Sequence, residues 1–239
     1  TMSLESETTD YIARPISLKD IPKSWFPDSN LYIHCPDPLI NLVKMAQDHN
    51  TAIVELNLYP EESKIDSKIG VEKLTTALKT FQRLITQSYG KALAELDKAT
   101  KKTLDKLMFH QLNVRAFMPG SFKVLLETEA RADMLGYVQV AKALDKIDML
   151  HSLIHSPEDS VDYLHKYHGH FASAYKDLIR FVVETKTPFS YQWAMPCVKS
   201  ISTHLFIPTD VEDLYKILMS REDISTENVV ISGFVVKVD

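Results

Sequence analysis

The chain has 239 residues, 45% of them hydrophobic and 25% charged, with a formal net charge of −5, the composition of an ordinary globular protein of one or two domains. No stretch approaches the roughly 18 unbroken apolar residues of a membrane helix, so we expect no membrane partner. The negative charge disfavours nucleic acid as a partner, and the six glycines form no glycine-rich phosphate loop.

The first 50 residues differ in composition from the rest. Residues 1–10 are polar and show no periodicity, so we interpret them as a disordered leader. Residues 11–50 form a proline-rich N-terminal subregion, in which proline favours extended or loop-like backbone. Within this subregion, a short strand is predicted over residues 31–34 and a helix over residues 39–49.

A strand and a long helix are predicted next. Apolar residues over 51–59 indicate the strand. The helix begins near Ser67, because apolar side chains then recur at three or four residues as far as Tyr89. A helical or mixed register continues through Leu96 and over residues 103–109.

A β-hairpin is predicted from two extended apolar runs, residues 112–117 and 122–127. Between them, Pro119 presets a turn position and Gly120 supplies a positive φ.

The second half of the chain is predicted to contain four helices and three strands. The first of these helices begins at residue 130 or 136 and ends at residue 155. The second and third cover residues 157–168 and 170–183. The fourth begins at a capping box of Thr209 and Glu212 and ends at residue 219. The strands are expected over 187–193, over 200–207 and over 229–238, the last in a terminal segment (220–239) that could lead into a further β-domain.

Strands and helices are therefore mixed without regular βαβ alternation, which predicts an α+β fold with long helices packed on a mainly antiparallel sheet. We expect residues 11–239 to form a single domain. The apolar stripes of the three best helices predict a core that includes Leu78, Phe81, Leu144, Ile147, Leu178 and Phe181.

Five of the nine histidines fall in one stretch, and they are the first candidate for chemistry. His151 and His155 share a helix face, the geometry by which two imidazoles reach one metal, and a third ligand would have to come from His165, His168 or His170. His168 and His170 complete the group. No H-E-x-x-H or C-x-x-C motif accompanies them, so we expect no metal site and instead predict dispersed, mostly exposed imidazoles.

Glu184 and Lys186 are the second candidate. On a strand, two residues at this spacing share a face, where a carboxylate could hold Mg²⁺ and an ammonium could steady a phosphate, as in a nuclease. The alternative, which we favour, is a helix C-terminal turn.

Phe189, Tyr191 and Trp193 are the third candidate, because period-two spacing puts all three on one strand face. They could stack on a ligand, but a half-buried strand under a helix has the same pattern and is the favoured interpretation.

The order of elements resembles an uncharacterised bacterial domain family with a Gly-Ser-Phe hairpin. The resemblance covers about residues 50–235 and is carried by Gly120-Ser121-Phe122 with the strand to Leu126, the helix from Leu135 to Leu150, the Tyr163-to-Gly169 turn, the helix from Tyr175 to Phe181 and the strand at Tyr191-Gln192-Trp193. It implies a bacterial cytoplasmic protein and carries over no activity or catalytic residue.

We therefore expect a non-enzymatic binding or protein-interaction module, an accessory component of a larger bacterial system, with a protein partner and no cofactor. Two cysteines, Cys35 and Cys197, form no disulfide framework, and no signal peptide is expected, both of which favour the cytoplasm. The alternative function is a metal-dependent hydrolase or nuclease, based on the histidine cluster or on Glu184 and Lys186. The sequence leaves the oligomeric state open.

Overall fold

In the computed structural model, the described residues are 38–59, 69–118, 122–132, 134, 136–167, 169–196, 201, 203–221 and 223. Five predictions lie outside them: the leader at residues 1–10, the strand at 31–34, the hairpin turn at 119–121, His168 and the terminal strand at 229–238. Both cysteines lie outside them as well.

Seven helices and five strands are present in the described part of the chain. Their order is α1 (Pro38–His49), β1 (Thr51–Leu58), α2 (Val71–Leu93), α3 (Lys98–Leu107), β2 (Leu112–Met118), β3 (Phe122–Arg131), α4 (Tyr137–Ser152), α5 (Pro157–Tyr167), α6 (His170–Glu184), β4 (Phe189–Ala194), β5 (Thr203–Phe206) and α7 (Glu212–Ser220). The strands form one sheet in the order β2-β3-β1-β4-β5, and every neighbouring pair is antiparallel. The predicted α+β class, with long helices on an antiparallel sheet, is confirmed.

The two faces of the sheet are covered unequally. Successive side chains of a strand point to opposite faces, so the neighbours of β1 show what covers each one. Val54 and Leu56 of β1 face the main core, which the long helices build on one side. Ile53 of the same strand faces the other way and packs against Leu42 and Ala46 of α1. All eight residues of β1 are consequently buried.

The predicted core is confirmed at five of its six positions. Phe81, Leu144, Ile147, Leu178 and Phe181 are all buried. Leu78 is only partly buried, and the prediction was wrong there because this part of the α2 stripe borders an open cavity.

Two helix starts differ from the sequence prediction. The helical register does not continue from α2 into α3, because α2 ends at Leu93. The Asp97 side chain then caps a new helix, α3, by accepting hydrogen bonds from the backbone N–H groups of Ala99 and Thr100. The predicted capping box at Thr209 is wrong. The last helix begins only at Glu212, and the Thr209 hydroxyl donates to the neighbouring side chain of Asp210 instead.

No helix in the described part of the chain has the length and apolar character needed to cross a membrane.

Candidate functional site

The structure separates the four histidines of the cluster that it describes. His155, His165 and His170 are exposed, and the nearest acid to His165 Nε2 is Asp223, at 3.6 Å. His151 turns inwards from α4 and pairs with a histidine outside the cluster, His204 of β5, with 3.0 Å between their Nδ1 atoms. Within the described ranges, no group of three or more His, Cys, Asp or Glu side chains is placed to hold a metal ion.

The hydrogen bonds of His151 and His204 fix where the protons lie. His151 Nε2 is 3.1 Å from the carbonyl oxygen of Leu205, which can only accept, so this nitrogen carries a proton. In a neutral ring Nδ1 then accepts, and His204 Nδ1 is the donor. His204 Nε2 lies 3.0 Å from Asp148 Oδ1 without a hydrogen bond, and this contact is attractive only when the His204 ring carries a charge. Both ring nitrogens of His151 are thus engaged, and His204 Nε2 is buried without a hydrogen-bond partner.

Asp148 connects this histidine pair to Tyr191 and Trp193 of β4. Its Oδ1 accepts from the Tyr191 hydroxyl at 2.9 Å, and its Oδ2 accepts from Trp193 Nε1 at 2.8 Å. Burial lowers the pKa of His151, and the nearby His204 lowers it further, against the hydrogen bond to Leu205 that raises it. The arrangement is a partly buried polar network that holds α4 to β4 and β5.

Sequence reasoning singled out His151 but missed Asp148 and His204. Two signals were available: Asp148 lies three residues before His151, on the same helix face, and His204 alternates with Phe206 on β5.

The structure buries all three candidate aromatics. Phe189 and Tyr191 lie under α2, where the Phe81 ring centroid is 5.7 Å and 5.4 Å from theirs, and Trp193 is 9% exposed. These rings therefore offer little surface for a ligand. They lie under a helix, as the favoured interpretation expects, but β4 is buried on both faces rather than half-buried.

Glu184 and Lys186 do not lie on a strand. Glu184 is the last residue of α6, and Lys186 has a left-handed φ of 50° in the turn that follows. Glu184 Oε1 accepts from the hydroxyl of Tyr215 on α7 at 2.9 Å. The nuclease geometry is not formed, and the helix C-terminal turn is the arrangement present.

A cavity of about 560 Å³ lies between α2 and β2 and was not predicted. Its volume falls within the usual range for ligand pockets. Its apolar wall includes Leu78, Met108, Val114 and Leu126. Met108 and Val114 are half-exposed, and Phe117, further along β2, is 58% exposed. A hydrophobic surface of this kind at the edge strand of a sheet is typical of an interaction site.

The Gln82 side chain of α2 forms hydrogen bonds with the backbone at the beginning of this edge. Gln82 Nε2 donates to the carbonyl oxygen of His110 at 3.2 Å, and Gln82 Oε1 accepts from the backbone N–H of Leu112 at 2.8 Å. These are the donor and the acceptor that an adjacent strand would present to an edge. Beyond Leu112, β2 is an edge of the sheet that the described residues form, and it runs beside the cavity.

A scan against protein-family models, a search of curated proteins and a search of solved structures each found no match to this chain. The resemblance to a bacterial domain family therefore stays a prediction, and function has to be argued from the residues of the structure.

Proposed function

We propose that this protein is a non-enzymatic interaction module that binds an extended, apolar segment of a partner protein at the β2 edge. It would act as a cytoplasmic accessory component of a bacterial system, as the sequence predicts. The observation that carries the proposal is the 560 Å³ cavity beside an edge strand with half-exposed apolar side chains.

Burial of apolar area would supply most of the affinity. The cavity can take one or two large side chains, and fully burying such a side chain is worth about 1.5–3 kcal/mol. Strand pairing would add little, because β2 has a bulge between Val114 and Ala116 that interrupts its regular edge. The partner segment would therefore pair briefly beyond Leu112 and place an apolar side chain in the cavity.

A second copy of this chain fits the edge less well. A symmetric pairing of two β2 strands would put the same surfaces side by side. Arg83 is already paired with Asp177, and no carboxylate lines the cavity, so a second copy would bring no acid from this surface to Lys79.

No observation favours the hydrolase alternative. The ring nitrogens of His151 are engaged, and Glu184 and Lys186 sit at a helix end.

The test is a selection of random heptapeptides on the immobilised protein, followed by fluorescence anisotropy with the enriched peptides. We expect peptides with large apolar side chains, and at least ten-fold weaker binding to Val114→Gln. Val138→Gln is the matched control, because Val138 is equally apolar and 61% exposed on α4. An absence of enriched peptides, or equal binding to both variants, would overturn the proposal.

A further inference from the structure

The charges around the cavity indicate the chemistry of the bound segment, an inference that rests on the proposed function. A second cavity, of about 330 Å³, adjoins the first along α2, because Lys79 and Arg83 line both. Arg180 is the third cation of the second cavity, and its two acids are Asp177 and Glu184.

Both acids of the second cavity already have partners. Asp177 is bound by two guanidinium groups, an ion pair with Arg83 and one with Arg180 at 3.3 Å. Glu184 accepts from the Tyr215 hydroxyl at 2.9 Å. Arg83 also donates to the hydroxyl of Ser173 at 3.1 Å, so its guanidinium group is already engaged.

Lys79 is different, since among the described residues that line the two cavities it is the cation without an ion pair. It is exposed and stands between the apolar cavity and the charged one. The larger cavity has no carboxylate in its lining, so its mouth is positive on a protein whose net charge is −5. A partner with a negative group beside its apolar side chain would complement this charge.

We propose that the bound segment carries a carboxylate, from Asp, Glu or a chain terminus, next to the side chain that enters the cavity, and that Lys79 receives it. Lys79 would set which partners bind and the carboxylate would orient the segment. The apolar side chain would still supply most of the affinity, because an exposed ion pair contributes little.

The experiment uses pairs of enriched peptides in which the acidic group is replaced by its amide. Binding to the wild-type protein should weaken about two- to five-fold on this replacement, the size expected for one exposed ion pair. On Lys79→Met the two peptides of a pair should bind equally. On Lys44→Met they should still differ, because Lys44 is an exposed lysine of α1, on the opposite face of the sheet.

The outcomes separate the two proposals. Peptides without acidic residues, or an amide effect that persists in Lys79→Met, would overturn the role of Lys79 and leave the apolar site standing. A selection without enriched peptides would overturn both. Circular dichroism of each variant confirms that it is folded, and raising the salt concentration should reduce the amide effect.

Discussion

His151 of α4 and His204 of β5 face each other with their Nδ1 atoms 3.0 Å apart, so one proton must lie between them. If both rings were charged, two N–H groups would point at each other across that distance. The pair is therefore compatible with one imidazolium at most. The groups that act on His151 are Asp148 and His155 of its own helix and His204 of β5.

The first prediction is a loss of stability in acid that depends on His151. Burial lowers the pKa of His151 below its usual value of 6.5, so the unfolded chain binds its proton at a higher pH than the folded protein does. The stabilising contribution is complete above about pH 6.5, and it is lost as the pH falls through the lowered folded pKa. We expect the urea midpoint to fall between pH 7.5 and pH 5.5 by more in the wild type than in His151→Gln.

His155→Gln is the control for this measurement, because His155 is exposed on the same helix and should change the pH dependence little. The pKa of His110 is also lowered by burial and contributes in the same direction, but it is present in all three proteins. An unchanged pH dependence in His151→Gln would contradict the prediction.

The second prediction compares two glycines. Gly136 precedes α4 with φ 112°, and a Cβ built there would lie 2.6 Å from a ring carbon of Phe109. Gly136→Ala should therefore destabilise the protein by about 1–3 kcal/mol. Gly90 lies in α2 with nothing within 4 Å of its Cβ position, so Gly90→Ala should stabilise by about 0.5–1 kcal/mol. Equilibrium urea unfolding measures both changes, and effects of the same sign would refute the argument.

The third prediction concerns the ion pair of Glu55 on the central strand. Lys123 Nζ lies 3.0 Å from Glu55 Oε1, and the Glu55 side chain is only 6% exposed. Removing Lys123 would leave a buried carboxylate with hydrogen bonds from Gln192 and Asn57 alone. Lys123→Met should thus cost about 1–3 kcal/mol.

An exposed pair provides the comparison for Lys123. Lys142 bonds to Glu95 at 3.0 Å with both side chains 43% exposed, and Lys142→Met should cost less than about 1 kcal/mol. The two variants are compared by thermal and urea unfolding at neutral pH. Equal losses would show that burial of Glu55 does not matter.

The fourth prediction separates the core from the cavity wall. Leu144 is 1% exposed within the core, and Leu144→Ala should cost about 2–5 kcal/mol because the space cannot close. Leu78→Ala should cost clearly less, since Leu78 already borders an open cavity. The free energies of unfolding from urea titrations decide the point, and a larger loss at Leu78 would show that the cavity wall is part of the packed interior.

The elements of this fold could be predicted from sequence because each leaves a local pattern. The α6 stripe through Leu178 and Phe181 and the alternation of β4 are examples, and both were located within a few residues. The candidate sites were not predictable in the same way. The contact of His151 with His204 spans 53 residues and depends on how β5 pairs with β4.

The cavity illustrates the same limit. Leu78 belongs to a regular apolar stripe, and only the position of α2 relative to the edge strand decides that it borders open space. The role of Gln82 could not be predicted from the sequence, because its amide forms hydrogen bonds with backbone groups that lie 28 and 30 residues away along the chain.

The order of strands in the sheet also has a consequence for how the protein is made. The central strand, β1, is the first strand of the described residues, yet its two neighbours are β3 and β4, and its Ile53 pairs with Ala194 far along the chain. During synthesis one backbone edge of β1 can pair with β3 near the middle of the chain, whereas the other stays unpaired until β4 has left the ribosome. The helices form from local contacts and can appear early, whereas the sheet closes last and slowly. The unpaired edge of β1 is therefore where an emerging chain is most open to aggregation during this interval.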